Sequence, residues 1–128
     1  IIVDDTTVGL EIVSDGKRMI FIPGCAAMTD DLRAKLDGAD ILFFDGTLWR
    51  DDEMVAAGLS PKTGKRMGHM SLSGPGGTIE ALRTIDFARK VVIHMNNSNP
   101  VLLADSPERA EAETAGWIIA SDGLTFTL

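Results

Sequence analysis

Ile41-Leu42-Phe43-Phe44-Asp45-Gly46-Thr47 decides how the rest of the chain is read. Four large apolar residues in a row, bounded by polar ones, have the length of a strand buried on both faces. Val91-Val92-Ile93, breaking abruptly into His94-Met95-Asn96-Asn97-Ser98-Asn99-Pro100, reads as a second such strand. Between them Ile79, Leu82, Ile85 and Phe87 fall at roughly helical spacing, so a helix is expected over Thr78–Arg89. Buried strands alternating with helices predict an α/β layered fold.

Working outward, Thr7–Val13 alternates imperfectly and carries β-branched residues, as a strand does. Ser14-Asp15-Gly16-Lys17 is hairpin chemistry, because Asp-Gly supplies the positive φ of a tight turn, and Arg18–Ile22 is the return strand. Thr29-Asp30-Asp31 can start a helix that carries Leu32 and Leu36 on one face. A helical turn is expected from Asp51 to Ala57, stopped by Gly58. Residues 59–77, rich in Ser, Gly, Pro, Lys and Arg, read as a long and mobile loop. Ser106-Pro107-Glu108 starts another helix, with Gly116 as its stop. Trp117–Ala120 and Leu124–Thr127, joined by Ser121-Asp122-Gly123, are read as a closing hairpin.

The 128 residues suit one small domain or part of a larger one. A hydrophobic share of 45% with 24% charged residues excludes wholesale disorder. A net charge of −7 argues against a nucleic-acid or anionic-membrane partner. A single cysteine excludes a disulfide scaffold. No apolar run reaches the roughly 18–20 residues that span a bilayer, and a cytoplasmic location is expected. The chain opens at Ile1 rather than Met, which reads as a processed or truncated product.

Chemistry tends to sit at the carboxyl ends of buried strands. Three such ends carry reactive residue types: Pro23-Gly24-Cys25, Asp45-Gly46-Thr47, and His94 with its asparagines. His94 is a candidate ligand for zinc or iron, or a histidine bonded to backbone. His69, the only other histidine, is either a site residue or an exposed loop residue. Asp45 can orient a histidine, accept a ligand hydrogen bond, or cap the Gly46-Thr47 loop. Cys25 is a soft ligand, a nucleophile, or a small buried hydrophobe. Asp51-Asp52-Glu53 is expected on the exposed face of its helix, and Trp49 and Trp117 in packing. Lys62, Lys65 and Arg66 form a basic island near His69, suited to a carboxylate-rich ligand. A catalytic metal usually has about three protein ligands, and two histidines fall short of that set.

Longer runs carry a resemblance. Phe43-Phe44-Asp45-Gly46-Thr47-Leu48-Trp49-Arg50-Asp51-Asp52-Glu53-Met54 resembles the signature of the coenzyme PQQ synthesis protein B family. So do Gly68-His69-Met70-Ser71, Ser73-Gly74-Pro75-Gly76-Gly77-Thr78, the run from Ala88 to Pro100, Asp105–Glu111 and Ala115-Gly116-Trp117. That family lies in the metallo-β-lactamase-like superfamily. The resemblance implies half of an αββα sandwich, a mixed sheet flanked by helices. Residues 1–128 would be its C-terminal half, with the metal-binding Asp-His motif and a cysteine cluster in an N-terminal half that is not in this sequence.

The resemblance further implies that His94 is a metal ligand and that His69 and Asp45 are catalytic. Lys65, Arg66, Asn96 and Asn97 are expected to contact substrate. The implied metal is iron, with zinc as the alternative. The implied activity is oxygen-dependent hydroxylation of a tyrosine-derived precursor of pyrroloquinoline quinone (PQQ), the substrate being a small molecule or a tyrosine/glutamate peptide product. The alternative is a carrier of PQQ or its precursor toward the periplasm. A metal-dependent hydrolase ranks below both, because Gly24-Cys25 stands where related hydrolases carry Gly-Asp. Association is expected, with the N-terminal half or with a second copy, and the isolated chain is expected to be inactive.

Overall fold

A computed structural model describes residues 7–128. Its centre is one five-stranded sheet in the order β1-β2-β3-β4-β5. The strands are β1 Leu10–Ser14, β2 Lys17–Ile22, β3 Ile41–Asp45, β4 Arg89–Ile93 and β5 Trp117–Ile119. β1 and β2 pair antiparallel and every later neighbour is parallel, so the sheet is mixed. The hairpin turn is the expected one: Asp15 and Gly16 both have positive φ, 50° and 76°. That matches a type I′ turn, whose twist suits the flanking strands.

Helices connect the strands: α1 Asp30–Leu36, α2 Glu53–Ala56, α3 Gly64–Met67, α4 Thr78–Ala81 and α5 Pro107–Thr114, with a short 3₁₀ turn at Pro100–Leu102. Thr29 caps α1 by accepting from Leu32 N, and Ser106 caps α5 by accepting from Arg109 N. Pairing places Ile20, Leu42 and Lys90 in one row and Ile22, Phe44, Val92 and Ile119 in the next. Apolar members of these rows join Leu36, Leu82, Val101 and Ala112 in the core. Side chains of this size contribute about 1.5–3 kcal/mol each when fully buried. The opposite face carries Met19, Phe21, Phe43, Ile93 and Ile118, which are half-buried, beside Ile41 and Val91, which are buried. Phe126 covers part of it, its ring 5.8 Å from that of Phe43. At the β1 edge, Leu10 and Ile12 remain 55% and 47% exposed.

Three expectations need correction. The helix read over Thr78–Arg89 is only α4, because Leu82 has left helical geometry (φ −105°, ψ 10°) and β4 already begins at Arg89. The closing hairpin does not form. β5 pairs with β4, and Leu124–Thr127 is irregular, held by Phe126 on Phe43 and by Arg89 Nη1 donating to Thr127 O at 3.1 Å. Residues 59–77 are not a free loop. They contain α3, and Met70 N, Leu72 N and Ser73 N donate to the carbonyls of Cys25, Leu48 and Trp49. Leu72 is fully buried, so the segment is anchored by core contacts that a composition-based reading misses. Among the described residues no helix is long and apolar enough to cross a membrane.

Candidate metal centre

Parallel pairing brings the carboxyl ends of β3 and β4 side by side, with Asp45 opposite Ile93. Gly46 N then donates to Ile93 O at 2.8 Å and Asn96 N to Thr47 O at 3.0 Å, so the two following loops run in step around His94. The approach is tight at Gly46, where a Cβ would overlap Val92 Cγ1 and lie 2.9 Å from Ile93 O. His94 has φ +55°, a left-handed conformation that costs a non-glycine residue about 1–2 kcal/mol.

Asp45 is the hub. Fully buried, it accepts from Cys25 N at 2.8 Å, from Thr47 N at 3.1 Å and from Thr47 Oγ1 at 2.6 Å. His69 Nδ1 lies 2.7 Å from its Oδ2, and His94 Nδ1 lies 3.9 Å from its Oδ1. The two imidazoles stack with centroids 5.5 Å apart and an interplanar angle of 22°. Ligand atoms of Asp45, His69 and His94 all lie within 4.8 Å of one another, so the set can hold a metal ion. The side chain of His94 is 54% exposed and that of His69 is 20% exposed. His69 is thus no exposed loop residue: α3 and the Met70–Cys25 bond carry it onto Asp45.

Asp45 both orients and caps, since the same carboxylate holds His69 and the Thr47 backbone. Cys25 is the small buried hydrophobe, its Sγ 3.4 Å from Ala27 O. Burial pushes its thiol up to about 11, partly offset by that hydrogen bond and reinforced by the Asp45 charge. Lys65 and Arg66 lie exposed on α3, four and three residues before His69 in the sequence. Lys65 lines a cavity of about 520 Å³ together with Ala26, Met28, Arg33, Met70 and Ser71. Asn96 is half-buried and donates to Ser98 Oγ at 2.6 Å, while Asn97 is exposed. Neither asparagine belongs to the Asp45 cluster.

Several structural partners went unread in the sequence. Thr47 Oγ1 sits 3.0 Å from His69 Nδ1 and 2.9 Å from His94 Nδ1. Asn99, 2% exposed, donates to Gly46 O at 2.7 Å and steadies the loop after β3. Glu53, read as a surface acid, accepts from Trp49 N at 2.7 Å and from Ser98 Oγ at 2.6 Å. Asp51 likewise docks α3, accepting from Lys65 N at 2.7 Å. The position of Thr47 just past a buried strand was the available signal for the first; nothing in local spacing marked the others.

Comparison with known proteins gives this geometry a family. A family model described as a β-lactamase superfamily domain matches residues 3–95. Coenzyme PQQ synthesis protein B of Gluconobacter oxydans (strain 621H) is 56% identical over 124 residues, covering 97% of this chain and 41% of that protein. The protein of the same name from Xanthomonas campestris pv. campestris (strain B100) is 58% identical over 125 residues, covering 98% and 42%. A crystal structure of Zn²⁺-bound PqqB from Methylobacterium extorquens superposes with a TM-score of 0.93 at 52% identity, covering 95% of this chain and 44% of that one. The chain spans about two fifths of the length of the curated relatives it matches. It belongs to the β-lactamase superfamily, and it matches the C-terminal portion of coenzyme PQQ synthesis proteins B.

Proposed function

We propose that the chain is the C-terminal half of a protein of PQQ biosynthesis, and that it supplies one wall of a metal site whose remaining ligands come from an N-terminal half. The observation that carries this is the convergence of His69 and His94 on buried Asp45. The donor set fits a metal. An imidazole suits iron or zinc, and Asp45, already accepting from Cys25 N and Thr47, is suited to orient a histidine rather than to ligate. His94, the more exposed ring, is the ligand in this reading. The half-buried apolar face of the sheet is where the sheet of the other half packs.

The activity we propose is hydroxylation of a tyrosine-derived PQQ precursor, with iron as the native metal; one atom of dioxygen enters the substrate and the other leaves as water, with two electrons from an external reductant and two protons. When bound, iron would supply Lewis acidity and redox chemistry with dioxygen. His69, steadied by Asp45, accepts or returns a substrate proton. Lys65 and Arg66, with Asn96 and Asn97, pair with substrate carboxylates and polar groups. The site would operate in the cytoplasm, as the sequence reading expects. A carrier role is the second reading: a cavity of about 520 Å³ lined by Lys65, Arg33, Asp30 and Asp51 with Met28 and Met70 offers room for a polar ring compound and holds no histidine to react with it.

Anaerobic full-length protein loaded with Fe(II), then given dioxygen, a two-electron reductant and a tyrosine-derived precursor, separates the two. A product heavier by one oxygen atom, formed with iron and not with zinc, supports the hydroxylase. Tight binding of substrate with no conversion under either metal supports the carrier and rejects the enzyme.

A further inference from the structure

We infer that Thr47 is a positioning residue: its single hydroxyl, together with Asp45, holds both His69 and His94 as Nδ1–H tautomers and so leaves each Nε2 as the ring atom free to act. The inference comes from counting hydrogens. As a carboxylate Asp45 offers only acceptors. Its Oδ1 lies 2.6 Å from Thr47 Oγ1, so the one hydroxyl hydrogen of Thr47 points there. The hydroxyl then has only lone pairs left for its other close neighbours. His94 Nδ1, at 2.9 Å, must donate to it, because two facing lone pairs at that distance would repel. The 3.2 Å contact from Oγ1 to His94 O is left as a weaker arm of the same hydrogen.

His69 follows by the same count. Its Nδ1 lies 2.7 Å from Asp45 Oδ2 and 3.0 Å from Thr47 Oγ1. Both of those atoms are acceptors toward it, so Nδ1 carries the hydrogen. Among the described residues neither Nε2 has a hydrogen-bond partner. The Thr47 methyl plays no part in this count. A valine at position 47 keeps the branched shape and loses the hydroxyl, whereas a serine keeps the hydroxyl and loses only the methyl.

The tautomer assignment concerns the protein without metal. The further step, that free Nε2 atoms raise metal affinity, rests on the metal reading given above. Nitrogen-15 spectra of the histidine rings in the metal-free full-length protein, at about pH 8 where an ordinary imidazole is neutral, test the first part directly. Both rings are expected to report Nδ1–H. Thr47→Val is expected to turn His94 into a tautomer mixture and to weaken zinc binding about 10- to 100-fold. Thr47→Ser is expected to restore both. An Nε2–H signal for His94 in the wild type overturns the inference, and does so even if the valine variant fails to fold. It is also overturned if Thr47→Val leaves tautomer and affinity unchanged, or if Thr47→Ser is as impaired as Thr47→Val. Wild-type protein with the expected tautomers but no affinity for zinc or Fe(II) would uphold the role of Thr47 and reject the metal site.

Discussion

Asp45→Asn isolates the hub of the site with almost no change of volume. The carboxylate is fully buried and receives Cys25 N, Thr47 N, Thr47 Oγ1 and His69 Nδ1. An asparagine offers one oxygen and one NH₂ group. If the NH₂ replaces Oδ2 it faces Cys25 N–H; if it replaces Oδ1 it faces Thr47 N–H. The Thr47 hydroxyl can rotate and His69 can change tautomer, but a backbone N–H cannot move its hydrogen. At least one buried amide is therefore orphaned, at about 1–3 kcal/mol. The surviving bonds also lose their charged acceptor, a further ~1 kcal/mol. A loss of about 2–4 kcal/mol follows, a large part of the ~5–15 kcal/mol that holds a typical domain. Urea unfolding of wild type and variant, with slopes compared, measures it. A difference under about 0.5 kcal/mol would refute the claim that these bonds are intact and buried.

Three further outcomes are expected. Cys25, its thiol pushed up to about 11 from 9.0, should react with iodoacetamide at about pH 8 some hundredfold more slowly in native than in unfolded protein; equal rates would mean the thiol is not buried. Gly46→Ala drives a methyl into Val92 and toward Ile93 O, so it should destabilise by about 2–3 kcal/mol in denaturant titrations. A neutral result would mean that the ends of β3 and β4 lie further apart. Asp40 is held below its ordinary 3.8 by Arg18 N–H first and the Lys17 ammonium second. Its depressed value means stability present above 3.8 and lost as pH falls through the folded value. Asp40→Asn should therefore flatten the acid limb of the stability curve, and an unchanged limb would exclude the contribution.

The parts of the fold legible in the sequence are those where local chemistry and tertiary packing agree. Asp15-Gly16, Thr29 and Ser106-Pro107 each satisfy a backbone demand within a few residues, so turn and caps were read correctly. The buried runs in β3 and β4 marked the strand ends, and so located Asp45 and His94. What stayed hidden depends on distant partners. Leu82 and Ile85 keep helical spacing because both face the core, yet Leu82 is already outside the helix. Leu124–Thr127 alternates like a strand but pairs with no strand among the described residues. Thr47, Glu53 and Asn99 are ordinary polar residues until folding brings their partners to them. Composition made residues 59–77 read as a long loop, because it does not show that Met70 and Leu72 are buried and that the backbone there bonds to Cys25, Leu48 and Trp49.

The central claim is that His94 anchors a metal. Equilibrium dialysis of the full-length protein against Zn²⁺ and Fe(II), wild type beside His94→Ala, tests it without reference to substrate or turnover. The wild type is expected to take up metal at the site. The variant is expected to lose affinity beyond the 10- to 100-fold that a change outside the ligand shell costs, while His69→Ala keeps more of it. The same metal content and affinity in His94→Ala as in wild type would contradict the account.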